Sequence, residues 1–475
     1  MRLSELADVD DDSEVTGFAI DHRQVSCGNV FGAFKGAAFN GEDFIAGAVE
    51  RGALAVVARP DAQVPRVPHL ADPQPRLLFA QMAAKFFAPY PETVVAVTGT
   101  NGKTSTVEMT RQMWRMAGHR SASIGTLGVT TSDDQVKTGL TTPDIVTFLS
   151  NVAGLDRMGI SHLAYEASSH GLDQYRAEGV PLAAVAFTNF SRDHLDYHAD
   201  MAAYFEAKMR LFEEVAEPGA AAVIWTDDSK SAEVIERARR RGLSMMTVGR
   251  AGETIRLVEQ STTPLGQALV LQHGGRNYRL ALPLIGAYQA ANVMVAAALI
   301  LATGGEWAST FSAMGRVAPV RGRLERAVIS RAGAPVYVDY AHTPDALEAA
   351  IAALRPHVEG KLITVFGAGG DRDQGKRAPM GEAAARLSDV VIVTDDNPRG
   401  EDSATIRRDI LASAPGATEV AGRKEAIALA IEMAASGDII LLAGKGHETG
   451  QIIGAGKAQR VLPFDDALVA RECAA

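Results

Sequence analysis

The sequence predicts an α/β protein of about three domains. Its 475 residues exceed what a single compact core usually holds, because domains typically contain about 100–200 residues. Continuous apolar runs alternate with amphipathic stretches through most of the chain, which is typical of mainly parallel sheets covered by helices. Hydrophobic residues make up 47% and charged residues 22% of the chain, and this balance excludes disorder as its dominant state.

Residues 1–88 are expected to form a small N-terminal α/β domain. Short strand-like runs lead into a proline-rich stretch at 59–75, and an apolar helix is predicted at 76–87. The segment Pro89-Tyr90-Pro91 follows and has the composition of a linker. We therefore place the first domain boundary after residue 88.

Residues 89–318 are predicted to form a central domain built on a mainly parallel sheet. Its strand candidates lie at 93–99, 162–169, 183–190 and 221–226. The apolar run VMVAAALILA at 293–302 is too short to cross a membrane, so we interpret it as a core helix.

Residues 319–475 are predicted to form a Rossmann-like C-terminal domain, with strand candidates at 334–341, 361–370, 389–396 and 438–446. Ligands of such sheets bind beyond the carboxyl ends of the strands. All four ends carry polar side chains or glycines: Asp339 and His342; Gly367, Gly369, Gly370 and Asp371; Asp396, Asn397 and Arg399; Lys445, His447 and Glu448. The pattern predicts a binding site along this edge.

A glycine-rich loop, VTGTNGKTST at 97–106, separates the first central strand from a predicted helix. Gly99 and Gly102 allow backbone N–H groups to approach a phosphate at the helix N-terminus. Lys103 can neutralise the outer phosphates, and Thr104 can bind Mg²⁺. The usual first glycine of the P-loop motif is Val97 here, so the loop is a variant. The loop predicts a P-loop domain that binds a nucleotide and Mg²⁺. A P-loop ATPase domain is one class that carries such a loop, and GTPase switches and kinases are others, so the loop alone does not identify the reaction.

Charge and cysteine content restrict the partners and the compartment. A net charge of −10 without a basic run argues against duplex nucleic acid as a partner. Cys27 and Cys473 are too distant in sequence to suggest a disulfide framework, which favours a cytoplasmic protein. The acidic start of the sequence contains no apolar signal region, so we expect neither export nor membrane insertion. We expect a monomer.

Ten further segments, together with TGTNGKT, resemble the Mur ligases, the ATP-dependent amino-acid ligases of peptidoglycan precursor synthesis. The segments are TTPD (141–144), EASSHGLDQYR (166–176), TNFSRDHLDYH (188–198), AKMRLF (207–212), GAYQAAN (286–292), GRLE (322–325), VDYAHTPDAL (338–347), GAGGDRDQGKR (367–377), DDNPRGED (395–402) and GKGHE (444–448). The resemblance covers nearly the whole chain. It implies one domain for the UDP end of the substrate, one for ATP, and one for the incoming amino acid.

The resemblance also implies residue roles. The ATP-binding set is Gly99, Thr100, Asn101, Gly102, Lys103, Thr104, Asn292, Arg323, Asp339 and His342. The metal-binding set is Thr104, Glu166, His194 and Lys208, the last as a carbamate, and Lys103, Lys208, His194 and Glu166 form the catalytic set. Without the resemblance, Lys208 would be interpreted as a solvated helix lysine. His194 and His198 have the spacing of a zinc pair, but no suitable further ligand lies nearby, which disfavours zinc.

The resemblance also implies which residues bind the UDP-linked substrate. The set is Thr141, Thr142, Ser168, Gln174 and Arg176, with His22 in the first domain. Family members usually have Leu-Asp-Ser-Arg where this chain has Ile20-Asp21-His22-Arg23. Uridine contacts are expected from His22 and from the loop at 36–39.

The segment Asp396-Asn397-Pro398-Arg399 predicts which amino acid is added. In this family an arginine here accompanies meso-diaminopimelate, which carries one more carboxylate than lysine. A guanidinium can bind that carboxylate through two parallel hydrogen bonds. If lysine were the substrate, the guanidinium would have no carboxylate to bind. Arg372, Gly444 and Glu448 match further substrate positions, and Glu448 suits an ammonium group.

The resemblance therefore implies a ligase that adds meso-diaminopimelate to UDP-N-acetylmuramoyl-L-alanyl-D-glutamate through an acyl phosphate. One alternative is a sibling ligase that adds L-lysine, a dipeptide or, in the folate pathway, glutamate. A more remote alternative is a P-loop ATPase that acts as a switch. Such a switch does not need four polar strand ends in a separate domain.

Overall fold

The computed structural model describes residues 1–36, 39–136, 139–264 and 266–475. An N-terminal sheet of four parallel strands has the order β1-β2-β3-β4. The strands are β1 (Gly17–Ala19), β2 (Asn29–Gly32), β3 (Ala53–Ala58) and β4 (His69–Ala71). Helices α1 (Leu3–Leu6), α2 (Ile45–Glu50) and α3 (Pro75–Phe87) accompany it, and the last agrees with the helix predicted at 76–87.

A central sheet of eleven strands has the order β15-β14-β13-β12-β11-β10-β5-β9-β6-β7-β8. Its strands are β5 (Thr93–Thr98), β6 (Ser121–Gly125), β7 (Gly128–Thr130), β8 (Gln135–Val136), β9 (His162–Glu166), β10 (Ala184–Phe187), β11 (Ala221–Trp225), β12 (Ser244–Gly249), β13 (Ile255–Thr263), β14 (Gly266–His273) and β15 (Arg276–Leu282). The four predicted strands are β5, β9, β10 and β11. They lie together in the parallel centre of the sheet, so a mainly parallel sheet is confirmed.

Both edges of the central sheet are antiparallel. At one edge β13, β14 and β15 pair in antiparallel fashion, and at the other β6, β7 and β8 do so. These strands are not among the predicted ones. Strand β13 alternates buried and exposed residues at its start, as expected where only one face is covered. The sequence signal of the buried parallel strands is stronger because both of their faces are apolar.

The C-terminal sheet has the order β16-β17-β21-β18-β19-β20. Its strands are β16 (Glu325–Ile329), β17 (Pro335–Asp339), β18 (Leu362–Phe366), β19 (Val390–Val393), β20 (Thr418–Glu419) and β21 (Ile439–Ala443). The four predicted strands are β17, β18, β19 and β21, which are adjacent and parallel. Their carboxyl ends therefore lie along one edge, as predicted. A hairpin of β22 (Gly450–Ile453) and β23 (Arg460–Pro463) follows.

Twelve helices of the described ranges follow α3 in the chain. They are α4 (Lys103–Met116), α5 (Ile145–Arg157), α6 (Ser169–Asp173), α7 (Met201–Arg210), α8 (Ser231–Arg240), α9 (Ala287–Ala302), α10 (Trp307–Met314), α11 (Pro344–Leu354), α12 (Arg377–Leu387), α13 (Ser403–Leu411), α14 (Arg423–Met433) and α15 (Asp466–Ala474). Helix α9 contains the run at 293–302 and is buried along most of its length, which confirms a core helix. It packs against α4 through one apolar cluster.

Three sheets thus follow one another along the chain, and the predicted domain boundaries after residues 88 and 318 fall between them. We retain those boundaries as a proposal. Within the ranges described, no helix is both long and apolar enough to cross a membrane.

Candidate functional site

A cleft of about 1160 Å³ is lined by residues at strand ends of both the central and the C-terminal sheet. The phosphate loop, the end of β9 and the ends of β17, β18, β19 and β21 all contribute to its wall. Most predicted site residues line it, including members of the ATP, metal, UDP-substrate and amino-acid sets. Four predicted residues are not part of its lining: His22, Gly99, Gln174 and Pro398.

The phosphate loop connects β5 to α4 and needs its two glycines. Gly102 has φ +86°, and a Cβ there would lie 2.4 Å from Asn292 Oδ1; at Gly99 it would lie 1.9 Å from Thr188 Oγ1. Lys103 Nζ folds back over the loop and donates to the carbonyl oxygens of Gly99 (2.9 Å) and Thr100 (2.8 Å). Burial lowers the pKa of Lys103. The loop therefore presents a desolvated cation where an anion can replace carbonyl contacts.

Lys208 lies on α7 and is buried, so the interpretation as a solvated helix lysine is wrong. Its Nζ donates to Gly99 O at 2.7 Å and lies 4.4 Å from the centre of the Tyr204 ring. Burial, and then repulsion from Lys103, holds the pKa of Lys208 well below its usual range. A neutral amine can react with carbon dioxide, whereas an ammonium has no lone pair for that reaction.

Glu166 is the last residue of β9, and its side chain is buried. Its carboxylate accepts hydrogen bonds from Thr126. One carboxylate oxygen accepts from Thr126 N at 2.7 Å, and the other accepts from Thr126 Oγ1 at 3.1 Å. Thr126 Oγ1 also lies 3.1 Å from Thr141 Oγ1. Each carboxylate oxygen keeps a lone pair for a further ligand. A Cβ at Gly125 would lie 2.2 Å from Glu166 Oε1, so this glycine makes room for the carboxylate.

His194 lies in a turn with φ +55°, which an ordinary helix does not allow. His198 N donates to His194 O at 3.0 Å, so the two histidines close a turn instead of sharing a helix face. Burial lowers the pKa of His194 despite Asp193, whose carboxylate lies 3.6 Å from its ring. The imidazole is therefore neutral at pH 7 and able to donate a lone pair to a metal ion.

Residues of the C-terminal domain reach the phosphate loop. Arg323 Nη2 donates to Thr104 Oγ1 at 3.0 Å, and the guanidinium lies 4.6 Å from the centre of the Tyr340 ring. Asp339 is buried and accepts from Leu324 N at 2.7 Å; burial raises the pKa of its carboxyl to about 6.

The two remaining predicted ATP residues are also held by neighbours. His342 Nδ1 lies 2.7 Å from Tyr340 O, and Asn292 Nδ2 donates to Gln289 Oε1 at 3.1 Å. Both line the cleft together with Arg323 and Asp339. The structure thus brings the predicted ATP set to one place, from segments that are far apart in sequence.

The predicted residues for the UDP-linked substrate form one hydrogen-bonded group near Glu166. Thr142 Oγ1 lies 2.8 Å from Glu166 O and 2.9 Å from Ser168 Oγ. Arg176 donates to Thr142 O at 3.1 Å and to Gln174 Oε1 at 2.6 Å. Gln174 therefore positions the arginine from behind the cleft wall.

His22 is not brought to this group. Its ring stacks on Phe44 with 4.5 Å between centroids, in the N-terminal domain. Of the predicted loop at 36–39, residues 37 and 38 lie outside the described residues. A uridine contact from this region stays a prediction.

The predicted amino-acid residues follow β19 and β21, except Arg372, which follows β18. Asn397 Nδ2 donates to Glu448 Oε2 at 2.8 Å. The buried Lys445 Nζ donates to Asn397 Oδ1 (3.2 Å), Glu448 Oε2 (3.0 Å) and Gly450 O (2.7 Å). Lys445 was noted as a strand-end residue but not assigned to the site. It holds the segment after β19 against the segment after β21.

Arg399 has φ +51°, and its backbone N donates to Ile452 O of β22 at 3.1 Å. Its Nη1 donates to Gly370 O at 2.9 Å. Throughout the part of the chain that the structure describes, no carboxylate forms an ion pair with this guanidinium, although its side chain lines the cleft. Arg372, by contrast, donates to Asp196 Oδ2 of the central domain at 3.1 Å.

Comparisons with known proteins agree with this geometry. Residues 97–300 match the family described as "Mur ligase middle domain", and residues 322–446 match "Mur ligase, glutamate ligase domain". A Zymomonas mobilis protein named UDP-N-acetylmuramoyl-L-alanyl-D-glutamate--2,6-diaminopimelate ligase is 57% identical over 467 residues, which are 98% of this chain and 96% of that protein. The chain belongs to the Mur ligase family. A relative of the same name from Bradyrhizobium diazoefficiens is 50% identical and covers 95% of this chain and 93% of its own.

Solved structures show the same architecture. A structure of a UDP-N-acetylmuramoyl-L-alanyl-D-glutamate--2,6-diaminopimelate ligase matches with a TM-score of 0.72 and 29% identity, covering 100% of this chain and 98% of that chain. A Mycobacterium tuberculosis folylpolyglutamate synthase complexed with ADP matches with a TM-score of 0.65 and 20% identity, covering 78% and 91%. At that identity the second likeness shows the fold alone. The predicted Mur ligase family and its three-domain α/β fold are confirmed.

Sequence reasoning did not assign four residues to the site: Thr126, Asp193 and Lys376, which line the cleft, and Lys445, which is buried and donates to Glu448 of the lining. Thr126 follows β6, which was not predicted, and Asp193 stands inside the quoted segment TNFSRDHLDYH. Nothing in their own pattern distinguishes either from a loop residue. Lys376 and Lys445 stand inside quoted motifs, GGDRDQGKR and GKGHE, and a basic residue inside a strand-end motif is the signal that could have identified them.

Proposed function

We propose that this Mur ligase joins meso-diaminopimelate to UDP-N-acetylmuramoyl-L-alanyl-D-glutamate at the expense of ATP. The observation that carries the proposal is Arg399, a guanidinium without an acidic partner among the described residues, in the same cleft as the phosphate loop. Glu448 lines the same cleft and accepts a hydrogen bond from Asn397. An arginine and a glutamate together match the carboxylate and the ammonium at the far end of meso-diaminopimelate.

In the first step, ATP transfers its γ-phosphoryl group to the γ-carboxylate of D-glutamate. A carboxylate oxygen forms the new bond to phosphorus while the bond to the ADP oxygen breaks. Lys103 folds over the phosphate loop and Arg323 donates to Thr104 at its end, so the two cations would supply positive charge from two domains. Because the transferred group carries most of the developing charge, positioning and charge neutralisation are the main tasks of the protein.

In the second step, the free amine of the amino acid attacks the acyl carbon. A carbon–nitrogen bond forms, a tetrahedral intermediate collapses, and the carbon–oxygen bond to phosphate breaks; the nitrogen then gives up its extra proton. The amine must be neutral and close to the acyl phosphate. Residues of both sheets line one cleft, which would supply that proximity.

The residues present fit Mg²⁺. In the described ranges no three His, Cys, Asp or Glu side chains alone are grouped to hold a metal, but Mg²⁺ usually takes only one or two carboxylates together with substrate phosphates. Glu166, with its spare lone pairs, and the neutral ring of His194 would hold it near the acyl phosphate, and Thr104 would contribute a hydroxyl. A carbamate on Lys208 would add an anionic oxygen. The ion would neutralise phosphoryl charge.

The group of Thr141, Thr142, Ser168 and Arg176 would bind the nucleotide-linked part of the substrate. Its hydroxyls and guanidinium lie next to Glu166, so a bound substrate would extend from this group toward the phosphate loop. We also propose that the protein acts in the cytoplasm as a monomer; the free thiols of Cys27 and Cys473 support a reducing compartment.

The experiment that tests the proposal is phosphate release with and without the two co-substrates. We expect little ATP hydrolysis alone, and stoichiometric phosphate and amide formation when both the UDP-linked dipeptide and meso-diaminopimelate are present. Faster turnover with L-lysine would instead favour the lysine-adding sibling. A rate of ATP hydrolysis that is the same with and without the two co-substrates would support an ATPase switch.

A further inference from the structure

Arg210 is a largely buried arginine of the central domain that does not line the cleft. It is the last residue of α7, and its side chain reaches the end of α6 and the chain that follows it. Its Nη1 donates to Leu172 O, and its guanidinium lies 3.9 Å from the centre of the Tyr175 ring. Its Nη2 donates to Glu178 Oε1 at 2.9 Å. One guanidinium therefore contacts this part of the chain at three points.

Helix α6 ends in a Schellman motif, a pair of hydrogen bonds that turns the chain at a helix C-terminus. Tyr175 N donates to Leu172 O at 3.1 Å, and Arg176 N donates to Gly171 O at 2.8 Å. The motif needs a left-handed residue at its turn, and Tyr175 takes that conformation with φ +56°. Glycine usually occupies this position, because a Cβ disfavours a positive φ. A tyrosine persists there only where surrounding contacts favour it.

Arg176 takes its direction from this turn. It directly follows Tyr175, and its guanidinium donates to Thr142 O at 3.1 Å and to Gln174 Oε1 at 2.6 Å. Its side chain lines the cleft. Without a left-handed residue before it, the hydrogen bond from Arg176 N to the helix would break, and the arginine would leave this orientation.

We propose that Arg210 is a positioning residue for the nucleotide-linked substrate, which rests on the proposed function of Arg176. The guanidinium of Arg210 lies over the Tyr175 ring and stabilises the left-handed turn, and the turn directs Arg176 into the cleft. A planar, weakly hydrated guanidinium suits such a contact with an aromatic ring.

A second route from Arg210 to the reaction runs through Lys208, which stands two residues earlier on α7. A displaced Lys208 would alter phosphoryl transfer and hence kcat, whereas a displaced Arg176 would alter the KM for the UDP-linked dipeptide. The split between kcat and KM therefore separates the two routes.

The test is steady-state kinetics of Arg210→Met combined with Glu178→Gln, because removing both charges leaves no unpaired ion in the buried pair. We expect the KM for the UDP-linked dipeptide to rise about 10-fold, as for a weakened charge-assisted contact, while kcat and the KM for ATP change less than about threefold. Arg237→Met combined with Glu213→Gln is the matched control. The side chain of Arg237 is 13% exposed, as is that of Arg210, and it also pairs with a glutamate, so the control should keep wild-type kinetics.

Tyr175→Gly distinguishes positioning from stability. Glycine adopts a positive φ without support, so adding Tyr175→Gly to the double variant should return the KM for the UDP-linked dipeptide to within about threefold of wild type. The urea midpoint should not recover, because glycine removes the ring and increases the entropy of the unfolded chain. Arg210→Lys keeps a charge beside Glu178 but lacks the planar group, so its KM should rise about threefold.

An unchanged KM for the UDP-linked dipeptide in the double variant would overturn the proposal, and so would a fall in kcat alone, which would indicate Lys208. A raised KM that Tyr175→Gly does not correct would also overturn it. If the double variant does not fold, Arg210→Lys decides: a wild-type KM there would overturn the proposal. Arg176→Ala tests the proposed function separately. An unchanged KM in Arg176→Ala would reject the role of Arg176, whereas a raised KM there with wild-type kinetics in the Arg210 variants would reject only the positioning role.

Discussion

Arg323 Nη2 donates a hydrogen bond to Thr104 Oγ1 at 3.0 Å. Thr104 stands in the first turn of α4, directly after the phosphate loop, whereas Arg323 precedes the first strand of the C-terminal sheet. The two residues are 219 positions apart. One guanidinium thus joins the nucleotide loop to the domain that would carry the amino acid.

Replacing Arg323 should slow phosphoryl transfer without weakening the binding of the amino acid. We expect Arg323→Ala to lower kcat by about 100-fold or more, because a guanidinium that neutralises a transferring phosphoryl group typically contributes at least that factor. The KM for meso-diaminopimelate should change little, since Arg399 and Glu448 are untouched. Initial rates of phosphate release measure this, with Arg331→Ala, an exposed arginine of the same domain, as control. A variant with full kcat would show that Arg323 only links the domains.

Lys208→Ala should abolish acyl-phosphate formation. Its Nζ contacts Gly99 O at 2.7 Å, and a carbamate formed there would place an anionic group beside the phosphate loop. Hydroxylamine trapping of the acyl phosphate measures the loss, and added bicarbonate should not restore activity because the amine is absent.

The modification itself can be observed directly. Wild-type protein equilibrated with ¹³C-bicarbonate should show a carbamate carbon signal by NMR that Lys208→Ala lacks. Lys85→Ala, at an exposed position, should keep the signal. Full activity of Lys208→Ala would rule out an essential carbamate.

Arg399→Ala should raise the KM for meso-diaminopimelate by about 10- to 100-fold, the effect expected when a bidentate charge-assisted contact is lost. The kinetics with L-lysine should stay the same or improve, because lysine has no far-end carboxylate to lose. Arg408→Ala, on α13 with a side chain 74% exposed, is the matched control. Unchanged selectivity between the two amino acids would contradict the role of Arg399.

Acid should destabilise the central domain through His162. This residue begins β9, its ring contacts Trp114, and burial, followed by the charge of His119, lowers the pKa of His162 to about 4. The unfolded chain binds a proton below about pH 6.5, whereas the folded chain does not until about pH 4. The contribution of neutral His162 to the free energy of unfolding is therefore complete above about pH 6.5, and it is lost as the pH falls toward 4.

Urea unfolding followed by tryptophan fluorescence checks this prediction, because all three tryptophans lie within residues 89–318. Between pH 7.5 and 5.5 we expect a loss of about 1 kcal/mol that His162→Gln lacks. Other buried histidines shift in the same direction, so the difference between wild type and variant is the informative quantity. Identical pH dependence in both proteins would contradict the assignment to His162.

Much of the fold was predictable because its signals are local. The strands at 93–98, 162–166 and 439–443 are apolar runs ended by glycine or charge, and the loop at 99–104 is recognisable from its own glycines and lysine. Edge strands such as Ile255–Thr263 are exposed on one face, and their weaker pattern was not identified.

The candidate site was predicted in composition but not in its contacts. The motifs named Glu166 and Asn397, yet Thr126, which holds the first, and Lys445, which holds the second, were not assigned to the site. These partners come from other segments of the chain. Short-range patterns describe neighbours a few residues apart, whereas a hydrogen bond depends on which segments the fold brings together.

The sequence by itself determined the buried parallel strands of the central and C-terminal sheets, the position of the phosphate loop and the strand ends that carry polar groups. Only the tertiary structure decided that Lys208 is buried against Gly99, 109 positions away, and that Lys376 remains unpaired among the described residues while Arg372 does not. The physical reason is that burial and charge pairing are set by all surrounding segments together. A lysine's pKa and its available partners therefore cannot be derived from the residues beside it in the chain.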